Sequence, residues 1–187
     1  LPPSDRDVTR PITDRVKQAI FDFLEARAMF EDGHILDLYS GTGSLGLEAL
    51  SRGAGVVTFV DRDRAVIDRL EKNIDTLGVR DRSRVHRVSV TSMLWMASAM
   101  REGPVDVAFF DPPYALLRDE AERQSIELVL EKLFDHMAEW GVAAVRAPRG
   151  LELSAIGPWT GPKVRTFGSM NIWLYQNRPA KELEIEN

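Results

Sequence analysis

Cysteine is absent from the 187 residues of this chain, which excludes disulfides, thiolate metal sites and a cysteine nucleophile. Imidazoles are scarce. His34, His86 and His136 stand apart without metal-ligand spacing, so no metal is expected. No apolar run approaches membrane-spanning length and no secretory signal opens the chain, so a cytoplasmic protein with no membrane partner is expected. Excess positive charge is also missing. With Lys+Arg 24 against Asp+Glu 29, a net charge of −5 and a pI near 5.3, the surface as a whole disfavours broad, nonspecific nucleic-acid binding. Cations gather locally instead, at Arg10, Arg15 and Lys17, at Arg80, Arg82, Arg84 and Arg87, and at Arg118 and Arg123. Each group reads either as a local patch or as a solvated face.

What is present is an ordinary globular composition, 44% hydrophobic and 28% charged, enough to bury one sizeable core. No repeat, linker or low-complexity stretch divides the chain. One domain over residues 1–178 is expected, then an acidic tail over 179–187 carrying Glu182, Glu184 and Glu186, the whole a monomer.

Periodicity predicts a first helix capped by Thr13 or Asp14, with Val16, Ala19, Ile20, Phe23 and Leu24 on one face. Four strand-then-helix units follow. The strands are predicted near 35–39, 56–60, 85–90 and 105–110, and the helices near 45–52, 64–77, 92–101 and 121–138. A strand at 142–145 comes next, then extended segments near 163–167 and 171–176 that form a terminal hairpin around Gly168-Ser169. This is the pattern of an α/β protein with a mostly parallel sheet, helices on both faces and an antiparallel edge.

Chemistry gathers at the ends of the strands. Asp111-Pro112-Pro113-Tyr114 follows the apolar run Val105–Phe110, and its two prolines fix φ and remove donors. Asp111 and the Pro112 carbonyl can accept hydrogens from an exocyclic amine while Tyr114 stacks on the attached ring. Upstream, Ile35–Tyr39 runs into Ser40-Gly41-Thr42-Gly43-Ser44-Leu45-Gly46 and a helix start, where glycines let the backbone turn and approach a nucleotide-like cofactor. Asp61 closes the second strand about 20 residues beyond Gly41, where a carboxylate can accept from ribose hydroxyls. Asp63 fits a helix cap. The loop and the acid suit NAD and S-adenosylmethionine equally, but hydride transfer has no use for a stacked ring beside an amine acceptor. Methyl transfer to a base amine does. Gly41 to Gly46, Asp61, Thr91 and Asp111 to Tyr114 fall at four different strand ends, where such sheets bind ligands.

These residues resemble the RsmD family, bacterial enzymes that methylate the exocyclic N2 of one guanine in 16S ribosomal RNA. The resemblance is carried by Arg10-Pro-Ile-Thr-Asp-Arg-Val16, by Leu36-Asp-Leu-Tyr-Ser-Gly-Thr-Gly-Ser-Leu-Gly-Leu-Glu-Ala-Leu-Ser-Arg-Gly-Ala54 and by Asp111-Pro-Pro-Tyr114. It implies a three-layer Rossmann-like methyltransferase fold with a seven-stranded, mostly parallel sheet, S-adenosylmethionine as cofactor, and 16S ribosomal RNA or a small-subunit assembly intermediate as partner. The implied cofactor residues are Asp37, Tyr39, Ser40, Gly41, Thr42, Gly43, Gly46, Asp61, Arg62, Thr91, Ser92 and Asp111. Asp111, Pro112, Pro113 and Tyr114 take the catalytic positions, and Arg10, Thr13, Arg15 and Tyr114 those that meet the substrate. Three departures stand out: Asp61 where relatives usually have Glu, Thr91 beside Ser92 where an acid or amide contacts adenine, and a start at Leu1 that lacks most of the expected basic N-terminal hairpin. An adenine-N6 methyltransferase, a glutamine methyltransferase (which usually has Asn at the place of Asp111), a binding module without turnover and a dehydrogenase are the alternatives. A guanine amine is a poor nucleophile, so positioning must supply much of the rate, and the base must first leave its stack.

Overall fold

The structure, a computed structural model, describes residues 14–25 and 30–177, with side chains from Val16 onward. Its strands are β1 His34–Leu38, β2 Val56–Asp61, β3 Ser83–Arg87, β4 Val105–Phe110, β5 Met137–Pro148, β6 Thr160–Phe167 and β7 Met170–Gln176. Its α-helices are α1 Asp14–Glu25, α2 Ser44–Ser51, α3 Arg64–Leu77, α4 Met96–Ala99, α5 Tyr114–Arg118 and α6 Glu120–Leu133. The strands form a seven-stranded sheet in the order β3-β2-β1-β4-β5-β7-β6. β1 to β5 run parallel, and β7 and β6 add the antiparallel hairpin.

Both sheet faces are covered, which is why the inner strands read as mostly apolar runs. Alternate residues serve opposite cores. Ile35, Val57, Phe59, Val107 and Phe109 pack with α1, α2 and α3. Leu36, Leu38, Val60, Ala108 and Phe110 pack with α6, Trp95 and Trp159 on the other side. Phe21, outside the stripe predicted for α1, is fully buried, stacked on Phe30 with centroids 5.1 Å apart. Predicted Phe23 is half-buried instead, beneath Arg165 of β6.

Four predicted boundaries move. The helix expected over 92–101 is broken into 3-10 turns around the four residues of α4, because Ser92 and Trp95 side chains bond back to the carbonyls of Ser89 and Val90. The helix expected to 138 stops at Leu133, and Met137 opens β5 by pairing with Val105. That strand begins well before residue 142 because a bulge at Trp140-Gly141 lets it continue: Trp140 takes φ 73 and any Cβ on Gly141 would crowd the Val105 carbonyl. The third strand spans 83–87, and Val90 already lies in a 3-10 turn.

From β1 the chain passes to β2 on one side while β4 lies on the other. This reversal opens a crevice at the strands' C-terminal ends, the usual ligand position in such sheets. Register levels its floor, since Leu38 is opposite both Val60 and Phe110, and Phe110 is opposite Val145.

Candidate active site

A cavity of about 480 Å³ occupies that crevice, within the ~300–1,000 Å³ range of small-molecule and cofactor sites. The loop after β1 supplies Tyr39, Ser40, Gly41, Thr42 and Ser44 to its lining, and the end of β2 supplies Asp61, Arg62 and Asp63. Ser89, Val90 and Thr91 come from the turn after β3, Asp111 and Pro113 from the turn after β4, and Arg146 from β5. Val66, Leu116 and Glu122 complete it.

The glycine loop is shaped by backbone demands. Gly41 and Gly43 take φ 55 and 87, a left-handed conformation that favours glycine. A Cβ on Gly43 would overlap Leu70 of α3, and one on Gly46 would overlap the Phe59 ring. These two glycines therefore let α2 sit against its neighbours, while Gly41 faces the cavity. Asp37, 1% exposed, lies under the loop and not in the lining, and its carboxylate accepts the Gly46 N–H at 2.8 Å. Burial pushes its pKa up to about 8, with Asp111 and Asp61 adding to the rise and the Gly46 N–H opposing it.

Asp61 braces the loop from β2. One oxygen accepts the Gly41 N–H at 2.9 Å and the other the Asp63 N–H at 3.0 Å. Asp63 is the cap of α3, accepting from Val66 N–H at 3.1 Å. Two hydroxyls in the lining, Tyr39 Oη and Ser40 Oγ, are buried and lack a hydrogen-bond partner among the described residues. Buried polar atoms are rarely left so, and a polar ligand here would satisfy both. The residues present thus fit a nucleotide-like cofactor: open glycine backbone, orphaned hydroxyls and a carboxylate with lone pairs to spare.

Asp111 continues the β4 ladder, donating its N–H to the Leu38 carbonyl at 3.1 Å. Pro113 precedes α5 and Tyr114 opens it, so the proline turn leads into a short helix. Pro112 is buried, and Tyr114 is half-buried just outside the lining. The Asp111 carboxylate is paired with Arg146, whose Nε donates to Oδ1. Burial pushes the Asp111 carboxyl upward and Arg146 opposes that rise.

Of the residues expected from sequence, Tyr39, Ser40, Gly41, Thr42, Asp61, Arg62, Thr91 and Asp111 meet in the cavity, together with Pro113. Ser92 is exposed outside the lining, its hydroxyl donating to the Ser89 carbonyl at 2.7 Å. Arg10 and Thr13 lie outside the described residues, as do the Arg15 side chain and the acidic tail. Sequence reasoning did not place Ser44, Asp63, Val66, Ser89, Val90, Leu116, Glu122 or Arg146 in the site. Arg146 carried a signal, a lone charge inside Val142-Ala-Ala-Val-Arg-Ala-Pro148. The arginines at 80–87 are largely engaged within the protein. Arg80 pairs with Glu71 and Asp75, Arg84 with Glu102, and Arg82 donates to the Ala54 carbonyl.

A family model described as Conserved hypothetical protein 95 matches residues 1–176. Ribosomal RNA small subunit methyltransferase D of Haemophilus influenzae is 32% identical over 177 residues, covering 95% of this chain and 88% of that one. YlbH of Bacillus subtilis is 33% identical over 171 residues, covering 91% and 89%. Among solved structures, yhhF of Escherichia coli superposes with a TM-score of 0.71 at 32% identity, over 94% of this chain and 90% of that one. An RNA methyltransferase of Salinibacter ruber, solved with S-adenosyl-L-homocysteine, shares the fold with a TM-score of 0.63 at 11% identity, over 95% of this chain and 100% of that one. Sheet order, crevice and likeness define a Rossmann-like α/β protein of the methyltransferase class. Within that class, the chain belongs to the family of ribosomal RNA small subunit methyltransferase D, the RsmD family.

Proposed function

We propose that this protein transfers a methyl group from S-adenosylmethionine to the exocyclic N2 amine of a guanine in small-subunit (16S) ribosomal RNA. The observation that carries the reading is that Asp111 shares one cavity with the glycine loop and Asp61. An amine acceptor and a nucleotide-binding loop thus meet at the crevice. The names of the relatives supply the RNA; the Asp-Pro-Pro-Tyr turn supplies the amine.

Gly41 and Ser40 would hold the cofactor's backbone side, Asp61 would accept from its ribose hydroxyls, and Thr91 with Val90 would meet its adenine. When bound, S-adenosylmethionine supplies a sulfonium-activated methyl, the N–C bond forming as the C–S bond breaks and its electron pair stays on sulfur. Asp111 accepts a hydrogen bond from the substrate amine and holds the nitrogen in line. That contact strengthens as the nitrogen becomes pyramidal and cationic, so it acts on the transition state more than on the bound base. The amine then sheds one proton, and a carboxylate whose pKa burial raises is the better acceptor for it. Tyr114 gives the base a ring to stack on, worth about 1–3 kcal/mol.

The test is selective. Asp111→Ala is expected to keep S-adenosylmethionine affinity within a few-fold by calorimetry, yet lower methyl incorporation into small ribosomal subunits by about 10²-fold or more. Incorporation at the wild-type rate would refute the assignment of Asp111.

A further inference from the structure

We propose that Arg146 is a positioning residue that braces both halves of the base-recognition turn, fixing the Asp111 carboxylate and the Tyr114 ring before the substrate amine arrives. The inference rests on the reading of the site given above and adds a residue to it. Arg146 is the one charge in the stretch Val142–Pro148 and is 4% exposed. Removing a guanidinium from water is costly, and an apolar pair would often fill such a place with equal or better stability. Its position follows from sheet order. Val145 is opposite Phe110 in the parallel β4/β5 pair, so the next residue of each strand, Arg146 and Asp111, come side by side at the cavity.

From there one planar cation reaches both groups. Its Nε donates to Asp111 Oδ1, and its central carbon lies 5.6 Å from the centroid of the Tyr114 ring. Arginine is suited to this double task because the guanidinium bonds in its plane and stacks through its face, whereas a lysine ammonium is a point charge on a flexible stem. Asp111 and Tyr114 belong to different local structures, a strand end and the first residue of α5. Arg146 ties them across the turn. With that tie the carboxylate is aimed before binding, and the base need not spend binding energy on ordering it.

The experiment compares Arg146→Lys, Arg146→Met, Asp111→Asn and the double variant Arg146→Met/Asp111→Asn. Each is measured for methyl incorporation into small ribosomal subunits carrying unmethylated 16S RNA, for S-adenosylmethionine affinity, and for the carbon-13 titration of the Asp111 carboxyl where that residue remains. Arg146→Met is expected to lower kcat about 10²-fold, the scale of a misplaced reacting group, with cofactor affinity within about three-fold of wild type. Arg146→Lys should recover only part of the rate. The Asp111 carboxyl should titrate at higher pH in Arg146→Met, because burial then acts without the guanidinium; Tyr114 and Asp37 are the other titratable groups that interact with it. A purely structural role would instead lower melting temperature and cofactor affinity together.

The double variant leaves no unpaired charge at the site, whereas Arg146→Met alone leaves the partly buried Asp111 carboxyl without its cation, and it should be no slower than Asp111→Asn. If Arg146→Lys works at the wild-type rate, or Asp111 titrates unchanged without Arg146, the inference is overturned. If Asp111→Asn itself keeps full activity, or wild type leaves subunits unmethylated, the reading of the site fails instead, and the Asp111 titration still decides whether Arg146 sets its charge.

Discussion

Asp61 ends β2 with both carboxylate oxygens accepting backbone N–H groups, one from Gly41 and one from Asp63. Each oxygen keeps a second lone pair, so the side chain can hold the loop and receive ribose hydroxyls together. On the proposed reading, removing it takes away the loop brace and the ribose acceptor together. Asp61→Ala is expected to weaken S-adenosylmethionine binding by about 1–3 kcal/mol, the scale of a lost hydrogen bond to a charged group, and calorimetry giving wild-type affinity would remove Asp61 from the cofactor site. Such a residue is legible in sequence because its place is set locally, by a strand end at a fixed distance from a glycine turn. Asp111 is legible for the same reason, between an apolar run and two prolines. Arg146 is not: it stands 35 residues from its partner and meets it only because β5 lies next to β4. Glu122 likewise reaches the lining through the packing of α6, which no spacing announces.

The unit formed by β1, its glycine loop and α2 is held together by a buried carboxyl. Burial lifts Asp37 from the ordinary aspartate value of 3.8 to about 8 in the folded protein, so the native state binds a proton more tightly than the unfolded chain does. Stability from this group is therefore fully present below about 4 and is lost as pH rises through about 8. His34, whose pKa burial lowers from 6.5, has the opposite sign, contributing stability above 6.5 that is lost as pH falls. Asp37→Asn keeps an oxygen for the Gly46 N–H but carries no charge. Denaturant unfolding is expected to show parent stability falling between pH 6.5 and 8 and the Asn variant falling less; equal slopes would contradict the assignment. At this scale the sequence was readable where one force ruled. The α3 helix has its Asp63 cap and its span where they are expected, with Ile67, Leu70 and Ile74 buried. The start of β5 was hidden because Met137 continues the apolar spacing of α6, and only sheet pairing with Val105 decides that it is a strand residue.

Across the whole molecule, alternating strands and helices followed by a hairpin were enough to give a mostly parallel sheet with an antiparallel edge, since both faces must be covered. Strand order needed the structure, and it is strand order that brings the β1, β2, β4 and β5 ends to one crevice. Charge points to how RNA must be met. A chain with net charge −5, in which Arg80 and Arg84 pair with the chain's own acids, has little general attraction for phosphate. Recognition should then rest on shape and on an exposed base. The most direct measurement is nucleoside mass spectrometry of RNA taken from unmethylated small ribosomal subunits after incubation with the protein and S-adenosylmethionine. The expected product is N2-methylguanosine at one site in 16S RNA. N6-methyladenosine, or no methylated nucleoside at all, would contradict the account.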